Sequence, residues 1–415
     1  MTSRPNELRI NEQRFWDTMA RSGEIGKGRT AGLSRLALGD DDKQMRDLFV
    51  GWCRDAGLEV TVDGMGSIFA RRPGRENDLP PVLVGSHLDT QIAAGNYDGI
   101  LGVLGGLELI RTLNDAGIET RRPIELVDWA NEEGARFNPP MLASGVFAGV
   151  NKLDWALGRT DLQGKTYGEE LRRIGYAGPA PVGGRTVDAY FELHIEQGPI
   201  LDAKKIPVGV VVGGYATRGM RIKIHGECAH AGGAAMDVRR NALVGAAYLI
   251  VALNELGWRY HPEGGRSTAA QIEVWPNLTG ILPEYALLTL DFRHPTVAGA
   301  ETMKAEFDAA MAQAAERAQV RMEIAETWRF GDEAFDKDCI GLIKSAAEDL
   351  KIPCIEMLSQ AGHDAYNMTR ICPTAMIFAP CDKGISHNEN EHMAPEDAYP
   401  GVNVLMHAVL ARANR

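Results

Sequence analysis

Four short polar strings contain residue types that bind divalent metals: His87-Leu88-Asp89, Asp98-Gly99, Glu132-Glu133 and His194. A fifth candidate, His387, comes much later. Imidazole nitrogen and carboxylate oxygen are the ligands that zinc and similar ions take at catalytic centres, where one position stays open for water or substrate. Two ions roughly 3.5–4 Å apart can share a carboxylate, and His87, Asp98, Glu133, His194 and His387 are the inventory such a pair needs. Asp89, two residues from His87, could accept the other ring N–H and fix the tautomer. Glu132 beside Glu133 permits a division of labour, with one carboxylate on metal and its neighbour free as a base. The chemistry implied is metal-dependent hydrolysis.

Each string must be held by an element, and apolar runs lie close by. Val82-Leu83-Val84-Gly85 reads as a strand ending at His87, and residues 124–129 as a strand ending before Glu132. Between them, residues 99–114 read as a helix whose many glycines predict close packing on a sheet. This strand–helix–strand order is the signature of a mostly parallel α/β sheet, in which ligands bind beyond the carboxyl ends of the strands. Residues 41–57 read as an amphipathic helix, and residues 58–71 as a strand pair around Gly64 and Gly66.

The composition changes near residue 212. Val208 to Gly214 is Val/Gly-rich and reads as a hinge. A strand (218–225), a helix (241–256), two strands (269–274 and 286–292) and a long helix (297–318) then describe a compact α+β unit. After about residue 330 the βα pattern returns, with helices at 336–350 and 395–413 and strands at 354–358 and 374–379. The expected organisation is a discontinuous catalytic domain, residues 1–212 and 330–415, with a smaller domain inserted at 213–329.

With 415 residues, two domains are the prior. A net charge of −12 argues against nucleic acid as a partner, because phosphate binding needs a basic footprint. Cys53, Cys228, Cys339, Cys354, Cys372 and Cys381 are scattered without a C-x-x-C pair, which fits free thiols in a reducing compartment. Residues 1–16 are polar and lack the apolar core of a signal peptide, and no run of about 18 apolar residues occurs. A cytoplasmic protein with no membrane span is expected.

The strings Gly85-Ser86-His87-Leu88-Asp89-Thr90, Asp98-Gly99, Asn131-Glu132-Glu133-Gly134-Ala135-Arg136-Phe137, His194-Ile195-Glu196-Gln197-Gly198-Pro199, His230-Ala231-Gly232, Asp291-Phe292-Arg293-His294-Pro295 and Gly384-Ile385-Ser386-His387-Asn388 together resemble one family. It is the amidase/hydantoinase/carbamoylase branch of the M20 metallopeptidase-like hydrolases, which includes N-carbamoyl-L-amino-acid hydrolases, β-ureidopropionases and allantoate amidohydrolases. The resemblance runs from about residue 9 to the C-terminus. It implies a two-metal catalytic domain and an inserted lid domain that also forms a homodimer interface. It further implies His87 and His194 on separate ions, Asp98 bridging, and Glu133 and His387 completing the site. Glu132 matches the general base, and Asp89 the carboxylate that orients a ligand. His230 matches a lid residue that polarises the scissile carbonyl. Asn277 and Arg293 match residues that hold the substrate carboxylate, and Gln197 and His363 match further substrate contacts.

Several positions depart from the family pattern. Ala93-Ala94-Gly95 has one glycine fewer than usual before Asp98. Gly233-Ala234-Ala235-Met236 lacks the usual threonines and proline after His230. Gly280 replaces an asparagine, and Ala143 a common glycine. The expected reaction is hydrolysis of the ureido bond of an N-carbamoyl amino acid on two divalent ions per subunit (zinc, manganese, cobalt or nickel), releasing the amino acid, ammonia and CO2. The lid departures keep allantoate or an N-acyl amide open as substrate. A catalytically inactive metal- or ligand-binding protein is the alternative from another class.

Overall fold

The computed structural model describes residues 8–415; the first seven residues of the polar segment 1–16 lie outside the described residues. Twelve strands run through the described residues: β1 (Glu59–Val62), β2 (Ile68–Arg72), β3 (Val82–Ser86), β4 (Ile124–Asp128), β5 (Ala189–Ile195), β6 (Val208–Gly214), β7 (Ala216–His225), β8 (Arg266–Trp275), β9 (Tyr285–His294), β10 (Arg321–Phe330), β11 (Cys354–Ser359) and β12 (Thr374–Ala379). The chain divides into two compact units. One comprises the residues up to Val212 together with Phe335–Arg415, and the other Gly213–Ala334.

The larger unit is built on an eight-stranded sheet in the order β1-β2-β4-β3-β5-β12-β6-β11. Its centre is parallel: β4 pairs with β3, β3 with β5, and β5 with β12. Antiparallel strands flank this centre, β2 on β4 and β6 on β12. Every residue of β3, β4, β5 and β12 is buried, as expected where helices cover both faces of parallel strands. The helix Ile100–Asp115 lies directly on this centre, and its glycines permit the approach. A Cβ at Gly102 would stand 2.2 Å from the Leu193 carbonyl oxygen, and one at Gly106 would stand 2.6 Å from Leu126 Cδ1. All four central strands end on the same edge of the sheet; His87 and Glu132-Glu133 follow the ends of β3 and β4, and His194 is the next-to-last residue of β5.

One reading of the sequence is overturned here. Residues 208–214 are not a hinge but β6, paired with β12 through Gly209, Val210 and Val211. The glycines suggest flexibility, yet the space over Gly209 is filled. A Cβ there would lie 2.4 Å from Met357 Sδ.

The smaller unit is a four-stranded antiparallel sheet in the order β10-β7-β9-β8. The helices Ala242–Tyr260 and Val297–Ala318 pack on it through a core of Ile222, Ile224, Leu249, Leu288, Phe292 and Phe307. Strand β10 extends this sheet beyond what the sequence pattern reveals. Among the described residues no helix is long and apolar enough to cross a membrane.

Candidate metal centre

Asp98 is the hub of the site. It lies just ahead of the helix Ile100–Asp115, and Gly99 makes the turn between them at φ +69°. Its Oδ1 is 3.0 Å from His194 Nε2 and 3.7 Å from His87 Nε2. Its Oδ2 is 3.6 Å from His387 Nε2, which in turn is 3.2 Å from Glu133 Oε2. Two ligand triads therefore share one carboxylate: His87, Asp98 and His194 on one side, and Asp98, Glu133 and His387 on the other, each with ligand atoms within 4.8 Å of one another, so His87 and His194 stand together rather than on separate ions as expected from the resemblance. His87 follows β3, His194 stands near the end of β5, and Glu133 lies in the loop after β4. His387 sits on the loop after β12 with its side chain 47% exposed.

Glu132 is adjacent and belongs to neither triad, but its carboxylate borders the His87 side of the site. Asn131 turns the chain at φ +58°, and its side chain donates to the Phe137 carbonyl at 2.8 Å. Glu132 Oε2 then lies 3.5 Å from His87 Nε2. Asp89 acts differently from the sequence expectation. The acceptor for His87 Nδ1 is the Asp89 backbone carbonyl, at 2.9 Å. The Asp89 carboxylate instead accepts the backbone N–H groups of Glu132 and Glu133, at 3.1 and 3.3 Å. It orients the glutamate loop rather than the histidine ring.

Sequence reasoning missed the charged groups behind the ligands. The Leu88 peptide is gripped from both sides: its N–H donates to Asp128 Oδ1 at 2.9 Å, and its carbonyl accepts from Arg35 Nε at 2.9 Å. Glu192 accepts from the Ser86 and Tyr190 hydroxyls and from the Ala365 N–H, joining β3 and β5 to the start of the short helix Asp364–Met368. The alternation of β5 could have flagged Glu192, an acid inside a buried strand two residues before His194.

The electrostatics are those of a site short of positive charge. Burial pushes Glu132 well above the usual carboxylate range, and Asp364 and Glu133 add to it. Burial raises Asp89 and Glu192 as well. Burial opposes a proton on His194, but Asp98 outweighs it and lifts the imidazole to about 9. Asp98 is held well below its ordinary range, His194 and the other two histidines overcoming the effect of burial. Glu133 Oε1 is buried with no hydrogen-bond partner. Converging imidazoles and carboxylates, with an orphaned carboxylate oxygen among them, fit divalent cations, for which the histidines must give up their protons.

Gln197 and His363 stand beside this centre. Gln197 Nε2 donates to Asp98 Oδ2 at 2.7 Å, as does Ser386 Oγ at 2.6 Å. His363 is buried edge-on against His194, ring centroids 4.5 Å apart. The remaining candidates belong to the smaller unit, and they do not converge. His230 bridges to Ile281 in the connection from β8 to β9, where Asn277 also lies. Arg293 pairs with Thr217 and Arg266 at the opposite end of the sheet. Eight positions along β9 separate the Arg266–Arg293 pair from the Trp275–Tyr285 pair, or roughly 27 Å at the rise of a β-strand. Within one chain Asn277 and Arg293 cannot hold the same carboxylate.

Fold and donor set define a metal-centre hydrolase of the α/β class, and comparison with known proteins agrees. The chain belongs to peptidase family M20/M25/M40, whose model matches residues 83–411, and it is a hydrolase of carbon–nitrogen bonds. An N-carbamoyl-L-amino-acid amidohydrolase of Rhizobium meliloti is 43% identical over 405 residues, covering 98% of this chain and 97% of the relative. A ureidoglycolate hydrolase of Arabidopsis thaliana is 32% identical, covering 90% of this chain and 80% of that protein. Among solved structures, a hydantoinase/carbamoylase family amidase from Burkholderia vietnamiensis superposes with a TM-score of 0.96 at 46% identity, covering 99% of both chains.

Proposed function

We propose that this chain is a two-metal amidohydrolase that cleaves the ureido C–N bond of N-carbamoyl amino acids. The observation that carries the reading is the Asp98 carboxylate, each oxygen of which faces its own group of ligand-type side chains. His87 and His194 would serve one side, Glu133 and His387 the other, with zinc, manganese, cobalt or nickel compatible with such donors. Bound cations at such a site supply Lewis-acid polarisation of a carbonyl and a lowered pKa of water.

The chain's own residues do the rest. Glu132 takes the proton of the attacking water and returns it to the leaving nitrogen. His230 Nδ1 accepts the backbone N–H groups of Gly232 and Gly233 at 3.0 and 2.9 Å. Its ring proton is therefore on Nε2, the correct tautomer to donate to a carbonyl oxygen. Arg293 presents a planar guanidinium, now paired with Asp291 at 2.9 Å, that suits a substrate carboxylate. We assign Gln197 and His363 to the substrate's remaining polar contacts.

The active species in this reading is a homodimer. One sheet separates Arg293 from His230 and Asn277 by far more than the length of a carbamoyl amino acid. Two copies are therefore needed to bring both ends to one substrate. Exposed Ile272, Trp275 and Leu278 on the same unit support such an interface. Six free cysteines support the cytoplasm as its compartment. The ureidoglycolate hydrolase relative favours, as a second reading, a ureido acid other than a carbamoyl amino acid.

The test is an ammonia-release screen with added zinc, manganese or cobalt, across N-carbamoyl amino acids, ureidopropionate, ureidoglycolate and allantoate, with N-acyl amino acids assayed for free amine. Ammonia from carbamoyl amino acids supports the proposal. Turnover confined to N-acyl substrates would overturn the ureido assignment.

A further inference from the structure

The five ligand-type side chains are not equally held. Four are buried, whereas His387 is 47% exposed on a loop and its backbone takes φ +51°. A non-glycine residue in that conformation persists only where its surroundings impose it. Two carboxylates on the same loop supply the constraint. Glu389 accepts the backbone N–H groups of Arg29, Thr30 and Ala31 at 3.0, 2.6 and 3.3 Å, and the Thr30 hydroxyl as well. Glu391 is buried, and its Oε1 accepts the N–H groups of Tyr97 and Asp98 at 3.0 and 3.3 Å.

The two anchors close a circuit. Beyond residues 29–31, Leu33 exchanges backbone hydrogen bonds with Ala94 at 2.8 and 2.9 Å, and Arg35 pairs with Thr90 at 2.8 Å. Residues 90–98 then lead to Asp98 and back, through Glu391, to the His387 loop. The space this needs is kept open by glycine. A Cβ at Gly95 would lie 2.2 Å from the Glu391 carboxyl group, and one at Gly32 would lie 1.8 Å from the Ala94 carbonyl oxygen. Residues 29–35 precede residue 83, where the family match begins.

We propose that Glu389 and Glu391 are positioning residues that staple the His387 loop, Glu389 to the strap at residues 29–31 and Glu391 to the Asp98 loop. The staple sets where the His387 imidazole points and how long an ion stays on that side of Asp98. It rests on the reading of His387 as a metal ligand.

The experiment uses holoenzyme loaded with zinc, its metal content measured beforehand, and follows zinc release into a chromogenic chelator. His387→Ala reports the release rate when that ligand is missing. Glu389→Ala is expected to release one of its ions about 10-fold faster than the unsubstituted protein, the scale of a lost outer-shell partner. The melting temperature of the metal-free protein should stay close to the original. Glu389→Gln keeps an acceptor oxygen and should restore most of the slow release. Unchanged release from Glu389→Ala, with fast release from His387→Ala, overturns the staple and leaves the ligand reading standing. Unchanged release from His387→Ala overturns both. Should Glu389→Ala not fold, Thr30→Val removes a single donor to the same carboxylate. A smaller acceleration then supports the staple, and none refutes it.

Discussion

Gly99 offers a sharp test of the metal centre, because its missing side chain is what lets His87 stand where it does. A Cβ at Gly99 would lie 2.3 Å from both Cε1 and Nε2 of the His87 ring. Ordinary carbon contacts begin near 3.5 Å, so the ring would have to retreat by about 1 Å. It has nowhere to go: His87 is 1% exposed, and its Nδ1 is bound to the Asp89 carbonyl. Metal–ligand distances tolerate about 0.2 Å. Gly99→Ala should therefore lower metal affinity by about 100-fold or more. The Gly99 backbone, at φ +69° and ψ −45°, adds a stability cost of roughly 1–3 kcal/mol for any residue with a Cβ. Gly117 separates the two effects. It follows the far end of the same helix at φ +63°, and a Cβ there meets nothing within 4 Å. Gly117→Ala should lose roughly 1–2 kcal/mol of stability and keep its metal. The assay is metal content after desalting, alongside thermal melts of the metal-free proteins. Equal metal content in the two variants would refute the placement of His87 as a ligand.

Glu132→Gln should keep its metal and lose about 10²- to 10⁴-fold in turnover; substantial residual activity would remove Glu132 as the base. Metal affinity should rise with pH, by about tenfold per unit while a single ligand proton is displaced. The sign follows from His194, whose pKa is lifted to about 9 by Asp98 against the effect of burial. The metal-free protein holds that proton through neutral pH, and the His194–Asp98 contribution to its stability is full below the free histidine range and fades as pH rises through about 9. Calorimetry in buffers of different ionisation enthalpy counts the protons released, and a count of zero at pH 7 would contradict it. Arg239 donates to the Ala231 carbonyl at 2.8 Å and to the Ala234 carbonyl at 2.9 Å. Arg239→Ala should lower kcat/KM about 10-fold with metal content unchanged, as expected when a positioned group is loosened; unaltered kinetics would dismiss the loop around His230 as a contributor.

Much of this was legible because buried parallel strands are short apolar runs with polar residues just past their ends. Thr374–Ala379 and Val82–Ser86 carry that pattern clearly. Strand β10 does not. It is an edge strand of exposed and half-buried residues, with a register shift between Ile324 and Glu326 that breaks its alternation. Spacing also could not tell which atom of Asp89 meets His87, since backbone and side chain of one residue are equally near in sequence. Nor could it separate Asn277 from Arg293, because sixteen residues around a hairpin leave open which end of the sheet each occupies. The contacts that organise the His387 loop are invisible to any local pattern: Arg29 and Glu389 are 360 residues apart.

The departures at residues 233–235 are offset within the same segment. Residues 233–235 lack threonine hydroxyls and proline, which from sequence alone puts the support of His230 in doubt. Yet the atoms that fix the His230 tautomer are backbone N–H groups, those of Gly232 and Gly233, and any residue but proline supplies them. Rigidity has a substitute as well, because the Arg239 guanidinium ties Ala231 to Ala234 from within the same segment. The polarising role proposed for His230 is compatible with these changes. What the small side chains at 233–235 alter is the surface beside the imidazole, wider and less polar than hydroxyls would make it. Substrate preference, rather than the ability to hydrolyse, is the property those positions are suited to change.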